Sequence, residues 1–220
     1  MTAPLNAQDV AAYLQEHPDF FEANAELLAH LEVPHPDTGE AISLTERQLM
    51  ALREKLRLLQ DKMTELVRFG EENDVISEKV HRMTLGLLEA NSFESILAVL
   101  DSHLVDDFEV PHIALRVWNS IITRESPEFS RVSEELRFFA ADLRHPYCGP
   151  ATQAEVVTWF GESGAHVRSV ALLPLKRDGQ VFGLLALGSE DLERFYPEMG
   201  TLYVARIADL VSAALLNYLG

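Results

Sequence analysis

The chain of 220 residues has one cysteine, Cys148, so no intrachain disulfide can form, and a reducing, cytoplasmic compartment is expected. No apolar run reaches 18 residues, so no transmembrane helix and no membrane association are expected. The opening MTAPLNAQDV lacks both a basic region and an apolar core, and so does not read as a secretory leader. Basic side chains are scarce, 18 against 35 acidic, for a net charge of −17. Phosphate repels such a surface, which excludes broad binding to nucleic acid or anionic lipid. The deficit is even, with 8 basic and 17 acidic residues over 1–91 and 10 and 18 over 92–220, so no basic module is concealed. There is no HExxH and no Cys-His cluster, and His30 and His35 stand five apart across a linker rich in helix breakers. No metal site is expected. GxSxG, GxxxxGK[ST] and Rossmann glycine patterns are absent too, and no residue is assigned a catalytic role.

The remaining pattern has three parts: residues 1–42, 43–91 and 92–220. Asn6, with Asp9 three positions on, reads as the N-cap of a helix carrying Val10, Tyr13 and Leu14. His17-Pro18 ends it, because a residue before proline avoids the helical region. A second helix is expected over about 22–32, and PHPDTGEA (34–41) reads as a linker. Ser43-Leu44-Thr45-Glu46 then has the form of a capping box opening a long helix.

On that helix Leu49, Leu52, Leu56, Leu59, Met63 and Leu66 recur at alternating steps of three and four, a heptad seam. The next four-residue step would land on Gly70; a three-residue step lands on Phe69, and the seam resumes through Asn73, Ile76, Val80, Met83 and Leu87. Such a stammer overwinds a coiled coil, and Gly70 weakens the helix there by roughly 1 kcal/mol relative to alanine. A bend or junction is expected near 69–73. About 45 helical residues would span about 65–70 Å, longer than a domain of this size. The seam therefore predicts a homodimer interface through Leu49, Leu52, Leu56, Leu59, Met63, Leu66, Asn73, Ile76 and Val80, with packing within the chain as the alternative.

Residues 92–220 read as a compact α+β domain. Ser92 caps a helix to about Asp107. HIALRVW (112–118) is a strand with Ile113, Leu115 and Val117 on one face and His112, Ala114, Arg116 and Trp118 on the other. Another strand is expected at 120–124, helices at 130–143 and 153–160, and loop at HPYCGP between them. SVALLPLKRDGQVFGLLALGSED (169–191) is a hairpin around Asp178-Gly179 that hardly alternates. Strands apolar on both faces need a cover on both. A final amphipathic helix covers about 198–218.

YLQEHPDFF (13–21), Pro34-His35, SLTERQLMALREKL (43–56), EEN (71–73) and FGLLALGSEDLERFYPEMGTLYVARIADLV (182–211) resemble a bacterial family, domain of unknown function 484, over essentially the whole chain. The order of elements in 92–220 resembles a GAF domain, a sensing and dimerisation module. The resemblance implies a six-stranded antiparallel sheet, with the first and last helices on one face, often the dimer interface. Loops and short helices would close a ligand pocket on the other face. GAF relatives bind cyclic nucleotides, bilins, haem, amino acids or 2-oxo acids, or nothing. The Asn-Lys-…-Phe-…-Asp-Glu motif of the cyclic-nucleotide binders is not recognisable here.

The candidate ligand-binding residues are Arg116, Trp118, Tyr147, Cys148, Trp159 and Arg168. An arginine beside aromatics could pair a carboxylate or phosphate of a small molecule. The alternative is an ion pair at the sheet edge with aromatic core filling. Cys148 is a possible attachment point or simply a buried thiol, and as a lone thiol it has no resolving partner for a redox cycle. No cofactor is identifiable. With Gly220 directly after the closing helix, no output segment is expected, so a signal would pass through the long helix to the N-terminal unit or another protein. The expected role is a non-enzymatic cytoplasmic sensor or adaptor acting as a homodimer. It would bind an unknown small molecule and offer residues 1–91 to a protein partner. A ligand-free interaction scaffold is the alternative.

Overall fold

The computed structural model describes residues 6–34, 41–118 and 124–219, and for 28–30, 32–34 and 41–44 the backbone alone. It divides into two compact units, Met1–Gly70 and Glu71–Gly220. The boundary falls inside one long helix, between the expected limits at 42 and 91.

In the first unit, α1 (Ala7–Glu16) begins with the expected cap: Asp9 N–H donates to Asn6 Oδ1 at 2.8 Å, and Asn6 N–H to Asp9 Oδ2. His17 closes it, its N–H bonded to the Tyr13 carbonyl. The single helix expected over 22–32 is two short ones, α2 (Phe20–Ala23) and α3 (Ala25–His30), because Asn24 leaves the helical region at φ −126°. Its side chain turns back to the Phe20 carbonyl, a local bond that competes with helix propagation. Tyr13, Phe20 and Phe21 form a small ring cluster. The flanks of the expected linker pair as an antiparallel ribbon, β1 (Glu32–Pro34) with β2 (Ala41–Ser43); residues 35–40 and the Ser43 side chain of the expected capping box lie outside the description.

Helix α4 (Leu44–Glu89) runs unbroken through Gly70. The junction expected near 69–73 is a change of environment rather than a break. Before it, Leu49, Leu52, Leu56, Leu59, Met63 and Leu66 are 47–69% exposed. After it, Ile76 is half-buried and Val80, Met83 and Leu87 are buried in the core of the second unit. Of the residues expected on the dimer seam, Val80 is thus buried within the chain, where the sheet needs a cover, and Ile76 packs half-buried against the same core.

The second unit is built on four antiparallel strands among the described residues: β3 (His112–Val117), β4 (Tyr147–Pro150), β5 (Ser169–Arg177) and β6 (Gln180–Ser189), in the order β3-β6-β5-β4. The expected loop at 147–150 is the strand β4, paired with β5 from Tyr147↔Leu172 to Pro150↔Ser169. Most of the strand expected at 120–124 lies outside the described residues. Of the helices, α5 (Phe93–Asp101) starts on the Ser92 cap and ends in a π-helical turn, Ser102–Asp107. The others are α6 (Glu134–Asp142), α7 (Ala154–Trp159) and α8 (Leu202–Leu219).

The apolar hairpin has protein on both sides. Ala171, Leu173, Leu175, Leu185 and Leu187 face a first core with α5, α8 and the end of α4, while Val170, Leu172, Leu184 and Ala186 face a second with α6 and α7. A register shift at Leu175/Lys176 reverses the alternation on β6, putting Phe182 in the first core and Val181 against the second. Lys176 N–H is bonded instead to Ser212 Oγ on α8 at 3.1 Å, and that hydroxyl donates to the Ala208 carbonyl. The two-residue turn has positive φ at both Asp178 (49°) and Gly179 (82°), the combination that matches strand twist. By length and composition α8 could cross a membrane, contrary to the expectation that no such segment occurs; its Val204, Ile207, Val211 and Leu215 lie in the first core.

Candidate functional site

Two features stand out: the exposed stripe of α4 and an edge groove beside β3. In the stripe, six apolar side chains repeat at heptad spacing, with Arg53, Lys55 and Lys62 on its flanks. Asn73 is exposed, and its carbonyl accepts a hydrogen bond from Tyr203 Oη at 3.0 Å.

The groove, about 390 Å³, is lined by Leu97, Asp101, Ile113, Arg116, Glu128 and Trp159, among others. Arg116 is its cation. The guanidinium carbon sits 4.8 Å from the Trp159 ring centroid, and Nη1 donates to the Leu115 carbonyl at 2.8 Å. Burial pulls its pKa below the ordinary value, opposed by the charges of Glu128 and Glu155. Those carboxylates have bonds of their own: Glu128 accepts from Ser126 Oγ at 2.6 Å, and Glu155 from the backbone and hydroxyl of Ser133. Arg116 is therefore already stacked, hydrogen-bonded and partly balanced by the protein.

The other expected ligand residues do not converge on it. Trp118, just past the end of β3 and in the second core, donates through Nε1 to the Val181 carbonyl. Tyr147 packs against that core, but β4 is three strands away, roughly 14 Å at strand spacing, and its hydroxyl bonds the Pro150 carbonyl. Cys148 points the opposite way, into the first core, where burial pushes its thiol up to about 11. A protonated, enclosed thiol is a poor nucleophile or attachment point, which corrects its place among the ligand residues. Arg168 is exposed at the far end of β5, six residues from Pro174, the residue in register with Leu184 and so with Arg116; that is roughly 20 Å along the strand. A set of six reduces to Arg116 and Trp159, with Trp118 nearby.

Sequence reading missed Arg137. Its guanidinium carbon lies 5.8 Å from the Trp118 ring centroid, making a second arginine–indole stack on this face. Nineteen residues separate the two in sequence, and no local spacing announces the contact.

The family described as "Protein of unknown function, DUF484" matches residues 1–219. The chain belongs to the DUF484 family. It is 26% identical over 211 residues to the uncharacterized protein YigA of Salmonella typhimurium, covering 93% of this chain and 88% of that one, and the same figures hold for YigA of Escherichia coli K12. Among solved structures, this DUF484 chain is similar to the GAF domain of A. Aeolicus nlh2 in an inactive state. That match has 18% identity, 66% of this chain, 98% of that one and a TM-score of 0.42. It is also similar to the GAF domain of a putative sensor histidine kinase from Pseudomonas syringae pv. tomato (18% identity, 68% and 91% covered, TM-score 0.44). A third is the GAF domain of an Acinetobacter phosphoenolpyruvate-protein phosphotransferase (12% identity, 67% and 93% covered, TM-score 0.46).

Proposed function

We propose that this DUF484 protein is a non-enzymatic cytoplasmic regulatory adaptor that works as a homodimer through the first half of α4. The observation that carries the reading is the exposed stripe from Leu49 to Leu66. Six large apolar side chains on one face of a helix lose free energy in water, and their 3-4 spacing fits the holes of a like helix. A second copy supplies that helix. Flanking charge favours the parallel arrangement. Parallel pairing sets Arg53 against Gln48 and Lys55 against Gln60 of the other copy, cation against neutral, whereas antiparallel pairing brings Lys55 towards Lys62. The non-enzymatic part of the reading draws support from Cys148, the one thiol of the chain, which is enclosed in the first core.

Sedimentation of the full chain tests the reading. Twice 24.7 kDa is the expected mass, and Leu59→Glu is expected to give a monomer with unchanged helical circular dichroism. A monomeric parent chain would overturn it. The ligand-free scaffold remains the second reading, favoured by the satisfied state of Arg116.

A further inference from the structure

A cavity of about 260 Å³ opens beside the first core, on the opposite side of the sheet from Arg137 and the Trp159 indole. It is smaller than the roughly 300–1,000 Å³ of drug-sized sites, which restricts it to a small guest. Its inner wall is apolar: Ile76 from α4, Leu104 from the π-helical turn, Phe195 from the segment before α8, and Val204 and Ile207 from α8. Two cations stand at the rim, both beside Phe108. Lys79 Nζ lies 5.7 Å from the centre of the Phe108 ring, and Arg194 Nη2 donates to the Phe108 carbonyl.

Among the described residues neither cation makes a salt bridge. Asp107, the carboxylate that feels the Lys79 charge, is bound by His103 at 2.6 Å and Arg82 at 3.2 Å. The one carboxylate in the cavity lining, Glu109, is exposed and held at φ 55°. Tyr203 Oη is turned to the Asn73 carbonyl. The rim thus offers two charges against one, over an apolar interior with few competing polar groups.

We propose that this cavity binds a small amphipathic carboxylate, its apolar body among Ile76, Leu104, Phe195 and Ile207 and its carboxylate at the rim beside Lys79 and Arg194. Partial enclosure strengthens a charge-assisted bond there, and the apolar body selects against free inorganic anions. The guest would touch α4 at Ile76 and Lys79, on the same helix as the exposed stripe. The inference deepens the regulatory reading by naming its ligand class, and rests on it for the consequence of binding. Binding itself is read in monomer or dimer alike, so failure of the site and failure of the dimer are separate results.

The test is methyl NMR of the full chain titrated with octanoate, with octan-1-ol as the uncharged match. Saturable shifts are expected at the Ile76 and Ile207 methyls, with Ile113 in the edge groove unmoved. Octanoate is expected to bind about tenfold more tightly than octan-1-ol, and Lys79→Ala and Arg194→Ala each to weaken octanoate about tenfold with unchanged circular dichroism. Absence of saturation, shifts confined to Ile113, or equal affinity for the alcohol would overturn the proposal. So would unaltered affinity in both variants, or Ile76 and Ile207 shifts that follow protein dilution alone and mark a face covered by the second copy.

Discussion

Tyr203, at the start of α8, donates its phenolic hydroxyl to the backbone carbonyl of Asn73 on α4 at 3.0 Å, across 130 residues of sequence. The bond joins two helices on the first face of the sheet, where Ile76, Val80 and Met83 enter the core. Tyr203→Phe removes the donor and leaves the ring. The expected cost is about 0.5–1.5 kcal/mol in urea unfolding, with the midpoint shifted and the slope unchanged. An unaltered midpoint would show that water replaces the bond without loss.

Two truncations on one helix should separate its halves. Met83 is fully buried, so Met83→Ala is expected to destabilise the fold by about 2–5 kcal/mol whatever the protein concentration. Leu59 is 67% exposed, so in a monomer Leu59→Ala should change stability by less than about 0.5 kcal/mol. Its effect belongs in the dimer dissociation constant, read by sedimentation across a dilution series. Equal, concentration-independent losses would argue against the seam.

Cys148 provides a pH prediction. Burial raises its thiol to about 11, so between the ordinary thiol value near 9 and about 11 the folded chain holds a proton that the unfolded chain releases. Stability from this group is complete below that window and falls as pH rises through it. Alkylation by iodoacetamide at neutral pH should be slow in the native protein and rapid in urea. Cys148→Ser, which leaves a hydroxyl in the apolar core, should lower stability and flatten the alkaline decline.

Two glycines should respond with opposite sign. A Cβ on Gly164 would lie 2.2 Å from the Val157 carbonyl oxygen, so Gly164→Ala must move backbone and is expected to cost about 1–3 kcal/mol. At Gly70 a Cβ would meet nothing within 4 Å, and the residue lies inside α4. Gly70→Ala should stabilise the helix by roughly 1 kcal/mol, seen as a higher melting temperature. Regulation that depends on a soft point in α4 would be blunted by the same change.

Local rules were enough for the elements whose causes are local. The Asn6 and Ser92 caps, the stop at His17-Pro18, the Asp178-Gly179 turn and the two faces of β3 all follow from side chains within a few positions of one another. The doubly apolar hairpin also announced that it needed two covers. The long α4 was legible from period alone, but the partner of each seam residue was not. Leu59 and Val80 obey the same repeat, and only the sheet lying against the second half made one exposed and the other core.

The candidate site was the least legible part, because it depends on strand order and register. Arg116 and Trp159 meet through a helix folded over the sheet, while Tyr147, Cys148 and Arg168 are separated by strand spacing, pleat and strand length. The cavity below Lys79 and Arg194 draws on α4, the π-helical turn, the segment before α8, and α8 itself. Sequence settled the periods, caps and turns of this protein, since those are set by neighbouring dihedrals and short-range bonds. Which residues face water, which stack and which enclose a space were decided by tertiary packing, because burial is a property of what arrives on the other side.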